Sequence, residues 1–216
     1  MKIHLSSFKA AIFDIDGTMI RNMAYHKKAW QEFLEKHDIH LSDEEFKQKL
    51  SGKKNGQIFE SVFGHPLEPE QIARYTEEKE GLYRELYKPY ITEVEGLTTF
   101  INNLRAYHLK LAIATTAPKK NRDFTLRALN LKGKFEIIIG DEHVGKGKPD
   151  PEIYLSTASE LGVEPSECVV FEDSPSGVKS GKSAGMTVVG LLTSHDATEL
   201  SKADYLVRDF TDIDFI

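Results

Sequence analysis

The sequence predicts an α/β fold: a doubly wound, Rossmann-like parallel sheet with an inserted all-helical cap. Short apolar runs rich in Ile, Val and Phe recur at residues 10–13, 109–114, 135–139, 168–171, 186–191 and 205–207. Segments of helical period separate the later runs, and strands that alternate with helices belong to parallel sheets covered on both faces. Residues 22–90 break this rhythm with several amphipathic helical segments and no convincing strand. The α/β core is therefore expected over residues 1–20 and 92–216, and the helical cap over 21–91.

Taken in order, AAIF at 10–13 is the first strand, and it runs straight into Asp14, Asp16, Gly17 and Thr18. Trp30, Phe33 and Leu34 mark the first cap helix. Ser42 and Glu45 stand at capping-box spacing and open a second helix, with Phe46 and Leu50 on one face. Ile58, Phe59, Val62 and Phe63 mark a third. A long segment with Ile72, Tyr75, Leu82, Tyr83 and Leu86 follows Pro66 and Pro69 and ends at Pro89. Its tyrosines 75, 83 and 87 read as cap packing. In the core, Leu97, Phe100, Ile101 and Leu104 have helical spacing, as do Ile153, Tyr154, Ala158 and Leu161. Asp150-Pro151 and Ser174-Pro175 each read as an N-cap followed by proline at the first helical position, where the missing N–H costs nothing.

Composition narrows the functional classes. A chain of 216 residues, 40% apolar, can bury a full core. The net charge of −6 and the absence of a Lys/Arg block beyond the doublets at 27–28, 53–54 and 119–120 argue against a nucleic-acid partner. Small anions need only local positive charge. The single cysteine, Cys168, excludes an internal disulfide and reads as a buried thiol in the run CVVF. No stretch approaches the roughly 18 apolar residues of a membrane span, and the first residues lack an apolar signal core, so a cytoplasmic protein with no membrane partner is expected. A monomer is expected because a capped domain of this size closes its own site.

In an open parallel sheet, ligands bind beyond the carboxyl ends of the strands. Asp14 and Asp16 follow the first run, Thr115 and Thr116 the second, and Glu172 and Asp173 the fourth, while Lys148 lies in GKGKPDP before the helix near Pro151. Two unit charges about 4 Å apart repel by roughly 4 kcal/mol at an effective dielectric near 20, so these carboxylates need protons or a cation among them. Lys148 offsets one charge. A hard ion such as Mg²⁺, which takes carboxylates, waters and a phosphate oxygen, would offset the rest. A carboxylate held at a strand end and facing phosphorus is a competent nucleophile. A second one two residues on can protonate the leaving oxygen and later take a proton from water.

These residues resemble the four ordered motifs of the haloacid dehalogenase superfamily: DIDGT at 14–18, Thr115, Lys148 in GKPDP, and FEDSPSGVKSGKSAGM at 171–186. The insert is similar to the small helical cap of the beta-phosphoglucomutase-like subfamily, with YHKKAW at 25–30 as its first helix. The resemblance implies Asp14 as nucleophile, Asp16 as acid/base, and Thr115 and Lys148 as phosphoryl binders. It implies Mg²⁺ held by Asp14, the carbonyl of Asp16 and Asp173, with Glu172 as ligand or support. His26 matches a histidine that lines the subfamily's site, and Lys79 fits a basic cap position of the subfamily. Asn55, in LSGKKNGQIF, stands where a mutase would carry the arginine that holds a second phosphate; Lys53 and Lys54 are nearby but lack its bidentate fork. Arg21 and Asn22 depart from the usual acidic and small hydroxyl residues. The implied activity is a Mg²⁺-dependent phosphatase of a small phosphorylated metabolite, a sugar phosphate first. Beta-phosphoglucomutase and inorganic pyrophosphatase are the alternatives.

Overall fold

The structure is a computed structural model that describes residues 2–3, 7–50 and 55–215. Lys53 and Lys54 lie outside the described residues. In chain order the elements begin with β1 (Lys2–Ile3), β2 (Ala10–Phe13), α1 (Met23–Lys36), α2 (Asp43–Leu50), α3 (Asn55–Phe63) and α4 (Pro69–Tyr87). They continue with α5 (Leu97–Ala106), β3 (Lys110–Thr115), α6 (Lys119–Ala128), β4 (Ile137–Gly140) and α7 (Glu152–Leu161). The last are β5 (Cys168–Glu172), α8 (Pro175–Ser183), β6 (Thr187–Leu191), β7 (Tyr205–Val207) and β8 (Asp214–Phe215).

Six strands form one parallel sheet in the order β4-β3-β2-β5-β6-β7. The chain starts at the centre with β2, winds out through β3 and β4, then crosses back to β5 and winds the other way. The winding reverses beside β2, which is where an open α/β sheet leaves a crevice at its carboxyl edge. Both sheet faces are covered, so the strands read as continuous apolar runs instead of alternating ones. Ala10, Ile12, Ala112, Ala114, Cys168, Val170 and Val188 point into one core with Ile153, Tyr154 and Leu161 of α7. On the other face, Phe13 stacks on Phe171 at 4.7 Å, and Phe100 of α5 meets both rings edge-on. Burial pushes the Cys168 thiol up to about 11, leaving it a packed, unreactive group.

The chain divides into two compact units, Met1–Met23 with Ile91–Ile216, and Ala24–Tyr90. In the first unit the two chain segments that lead to the second are bonded to each other: Val94 N–H donates to the Met19 carbonyl at 2.8 Å, and Ile20 bridges Glu93 antiparallel. The second unit has its own core of Trp30, Phe33, Leu34, Ile58, Phe59, Val62 and Leu67. The capping box of α2 is formed: Ser42 N–H donates to Glu45 Oε2 at 2.9 Å and Glu45 N–H to Ser42 Oγ at 3.3 Å. Tyr83 and Tyr87 are buried, as packing residues should be.

Three features depart from the sequence reading. Helix α7 starts at Glu152, with Pro151 itself at the N-cap, although Asp150 still accepts the Glu152 N–H at 3.1 Å. Strand β4 starts at Ile137, two residues into the apolar run, because Phe135 turns instead to meet the Phe13 ring edge-on. Strands β1 and β8 pair in parallel, and at two residues each they carry no periodic signal. Among the described residues no helix is long and apolar enough to cross a membrane.

Candidate active site

The Asp14 N–H donates to the Phe171 carbonyl at 3.1 Å, extending the β2–β5 ladder by one residue. That bond fixes the carboxyl at the strand end, where it is almost fully buried. Lys148 reaches in from the loop before α7. Its Nζ donates to Asp14 Oδ1 at 2.7 Å, to Glu172 Oε1 at 2.6 Å and to the Ala114 carbonyl at 3.1 Å, so three adjacent strand ends share one ammonium. Glu172 is saturated. Its Oε1 also accepts from the Tyr154 hydroxyl at 2.7 Å, and its Oε2 accepts from the Asp173 and Ser174 N–H groups and the Ser174 hydroxyl at 3.1–3.2 Å. Glu172 therefore holds Lys148 and the start of α8 in place.

Asp173 completes the cluster, and Gly17 makes room for it. Gly17 has φ +77°, and a Cβ there would lie 1.9 Å from Asp173 Oδ2. A side chain would fail on both counts, left-handed backbone and collision. Thr18 Oγ1 lies 3.4 Å from Asp173 Oδ1.

Asp14, Glu172 and Asp173, all buried, bring one oxygen each to within 4.8 Å of one another. Burial pushes the Asp14 carboxyl up to about 7, with Lys148 opposing the rise and Glu172 and Asp16 adding to it. Burial, with Glu172 and Asp14 beside it, also holds the Asp173 carboxyl well above the usual carboxylate range. Burial alone would lower the Lys148 ammonium, but Asp14 and Glu172 outweigh it and hold the lysine protonated. When all three are ionised, the carboxylates exceed the one ammonium by two negative charges. Oxygen donors of that charge and number fit one hard divalent cation, with Asp14 and Asp173 as its carboxylates because Glu172 is already engaged.

Asp16 is directed differently from the other three acids. Its Oδ1 accepts from Asn22 Nδ2 at 2.7 Å, while Asn22 Oδ1 accepts the Gly17 N–H at 3.1 Å, so the buried Asn22 side chain ties the turn to the carboxyl. Thr115 ends β3, buried, and its Oγ1 accepts the Ala117 N–H at 3.2 Å; Thr116 next to it is exposed. Within the helical unit, His26, Asn55 and Lys79 meet around Glu80. Lys79 Nζ lies 2.8 Å from His26 Nδ1 and 3.0 Å from Glu80 Oε1, and Asn55 Nδ2 donates to the same Oε1 at 2.9 Å. The His26 ring stacks on Tyr83 at 3.8 Å, and the Lys79 ammonium sits 5.1 Å from the Trp30 ring centre. Lys79 is thus buried and paired, not a solvated helix lysine.

Sequence reasoning missed the parts played by Asn22, Tyr154 and Glu80. Asn22 was legible only as a departure at its position. Tyr154 carries the ordinary core spacing of α7, and nothing in that spacing shows its hydroxyl reaching Glu172. Glu80 sits in an acidic, solvated-looking run, EEKE.

A doubly wound sheet with an acidic, lysine-bridged cluster at its switch point places the chain among the α/β proteins that bind ligands beyond their strand carboxyl ends. The haloacid dehalogenase-like hydrolase family matches residues 11–191, and the chain belongs to that family. It is 30% identical over 211 residues to validoxylamine A 7'-phosphate phosphatase of Streptomyces hygroscopicus subsp. limoneus, covering 95% of this chain and 96% of that one. It is also 30% identical over 217 residues to beta-phosphoglucomutase of Bacillus subtilis (strain 168), covering 95% and 91%. The crystal structure of a family IA, variant 3 hydrolase from Entamoeba histolytica superposes with a TM-score of 0.87 at 32% identity, over 96% of each chain.

Proposed function

We propose that the protein is a Mg²⁺-dependent phosphatase of a small phosphorylated metabolite, a sugar or sugar-alcohol monophosphate, acting through an aspartyl-phosphate on Asp14. The observation that carries this reading is the buried cluster of Asp14, Asp173 and Lys148 at adjacent strand ends. When bound, Mg²⁺ supplies positive charge to the phosphoryl oxygens and lets Asp14 stay ionised at neutral pH.

In the first half-reaction an Asp14 oxygen attacks phosphorus and the ester P–O bond breaks. The departing alkoxide takes the proton carried by the Asp16 carboxyl and leaves as the alcohol. In the second, water attacks the phosphorus of the aspartyl-phosphate and gives its proton to Asp16. The P–O bond to Asp14 breaks, releasing inorganic phosphate and the free carboxylate. Lys148, pinned between Asp14 and Glu172, offsets charge on the phosphoryl oxygens, and the Thr115 hydroxyl donates to one of them. Thr116, His26, Asn55 and Lys79 are proposed as residues that read the rest of the substrate.

Beta-phosphoglucomutase is the second reading, favoured by the Bacillus subtilis relative. A mutase must hold a second phosphate, which needs spare positive charge in the helical unit. Lys79 and Asn55 both bond to Glu80, and Asn55 stands where a mutase would carry a bidentate arginine, which favours the phosphatase. A phosphorus NMR time course with Mg²⁺, beta-glucose 1-phosphate and a trace of glucose 1,6-bisphosphate separates the two. Release of free phosphate is expected; conversion to glucose 6-phosphate alone would make the enzyme a mutase. Asp14→Ala should lower turnover by on the order of 10³-fold or more on any substrate found. Full activity in that variant would overturn the aspartyl-phosphate.

A further inference from the structure

The loop after β6 touches the acidic cluster at three points that the sheet itself does not explain. The Thr193 hydroxyl donates to the Gly17 carbonyl. Ser194 Oγ and Asp173 Oδ2 meet at the Gly17 turn: a Cβ on Gly17 would lie 2.6 Å from the first and 1.9 Å from the second. His195 Nδ1 lies 2.9 Å from the Asp173 carbonyl oxygen. A carbonyl only accepts, so Nδ1 carries the proton and donates. All three residues are half-buried, and none belongs to either packed face of the sheet.

The consequences fall on one residue. Asp173 follows β5 and precedes the N-cap of α8, so its backbone direction is set by those two elements. Its carboxyl is not: it stands between the Gly17 turn and Ser194, with Thr18 on the other oxygen. A serine hydroxyl has one proton to give, and giving it to a neighbouring carboxylate oxygen fixes the way that oxygen faces. The His195 bond to the Asp173 carbonyl limits rotation of the peptide that carries this carboxyl. Outer groups of this kind orient ligand oxygens, and their loss typically costs 10–100-fold in metal affinity.

We infer that Ser194 and His195 are positioning residues for the divalent-cation site, holding the Asp173 carboxylate in its ligating orientation from a loop outside the four recognised motifs. The inference rests on the proposed metal site. It assigns the loop a part in cation affinity, not in the chemical step.

The test is direct titration of the metal-free enzyme with Mn²⁺, reading free Mn²⁺ by electron paramagnetic resonance, in the wild type and in S194A, S194T and H195A. S194A should bind about 10–100-fold more weakly, and S194T, which keeps the hydroxyl, should recover most of the loss. At saturating Mn²⁺, KM for the phosphorylated substrate and kcat should return to near wild-type values, a split that damage to the substrate site would not produce. Mn²⁺ affinity in S194A within twofold of wild type, or equal weakening in S194A and S194T, would overturn the role of the hydroxyl. If S194A fails to fold, H195A carries the test: weaker binding supports the loop's role and unchanged binding overturns it. A wild type that binds no Mn²⁺ would remove the proposed metal site itself, an outcome distinct from a change confined to the loop variants.

Discussion

Gly17 and Asn22 make one turn serve two carboxyls. The glycine backbone lets Asp173 approach, and the asparagine amide closes the turn while donating to Asp16. Gly17→Ala must both hold φ near +77° and displace the Asp173 carboxyl. The strain alone is worth about 1–3 kcal/mol. A matching loss in urea unfolding, together with loss of Mn²⁺ binding, is the expected result. Asn22→Ala removes both the donor that orients Asp16 and the acceptor that closes the Gly17 turn. A fall in kcat on the order of tenfold is expected, measured at saturating substrate and Mg²⁺, because the proposed proton-transfer group loses its aim. Unchanged kcat would show that Asp16 needs no such tether.

Among the elements, α6 and the turn after β4 are joined by an ion pair that sets a pH dependence. Arg122, buried, donates to both oxygens of Glu142 and to the Ala117 carbonyl. The guanidinium hydrogen bonds hold the Glu142 carboxyl down at about 2, against an ordinary 4.5. Because the folded value is depressed, the stabilisation is complete above pH 4.5 and is lost as pH falls toward 2. The Glu142 side chain is 47% exposed. Solvent screening therefore limits the effect to about 1 kcal/mol or less. Between pH 5 and pH 2.5, urea unfolding should show the wild type losing more stability than Glu142→Gln by that increment. Helix α8 illustrates the other kind of element-scale design. Ser174 Oγ accepts the Gly177 N–H at 3.1 Å as the N-cap, and the same hydroxyl donates to Glu172, so the helix start and the site are built from one side chain.

For the whole molecule, the excess charge at the strand ends makes cation binding a stability term. Raised Asp14 and Asp173 values mean that the metal-free fold is penalised when those groups ionise, and a divalent cation removes the penalty. A ligand that binds only the folded state at 100 times its Kd adds about 2.7 kcal/mol, which corresponds to roughly 5–10 °C for a chain of this size. Thermal unfolding at neutral pH with Mg²⁺ should show that rise, and EDTA should reverse it. A transition that Mg²⁺ leaves unmoved would argue that the three carboxylates share protons instead of a metal.

Much of this was legible in the sequence because the signals are local or set by strand position. Apolar runs covered on both faces mark the six sheet strands, the Ser42–Glu45 spacing marks the start of α2, and proline after Ser174 marks the start of α8. Strand ends in a doubly wound sheet converge by topology, so Asp14, Lys148, Glu172 and Asp173 could be placed together before any coordinate was known. The resemblance to the haloacid dehalogenase superfamily rests on those same positions. What only the tertiary structure decided is the partner of each side chain: Asn22 on Asp16, Tyr154 on Glu172, Glu80 between Lys79 and Asn55, and the 193–195 loop on Asp173. Such contacts join atoms at side-chain tips over long stretches of chain. Periodicity and spacing report where a residue's backbone lies and which face it shares, but not where a flexible or rotating tip comes to rest; that is set by packing and by the demand that every buried polar group find a partner.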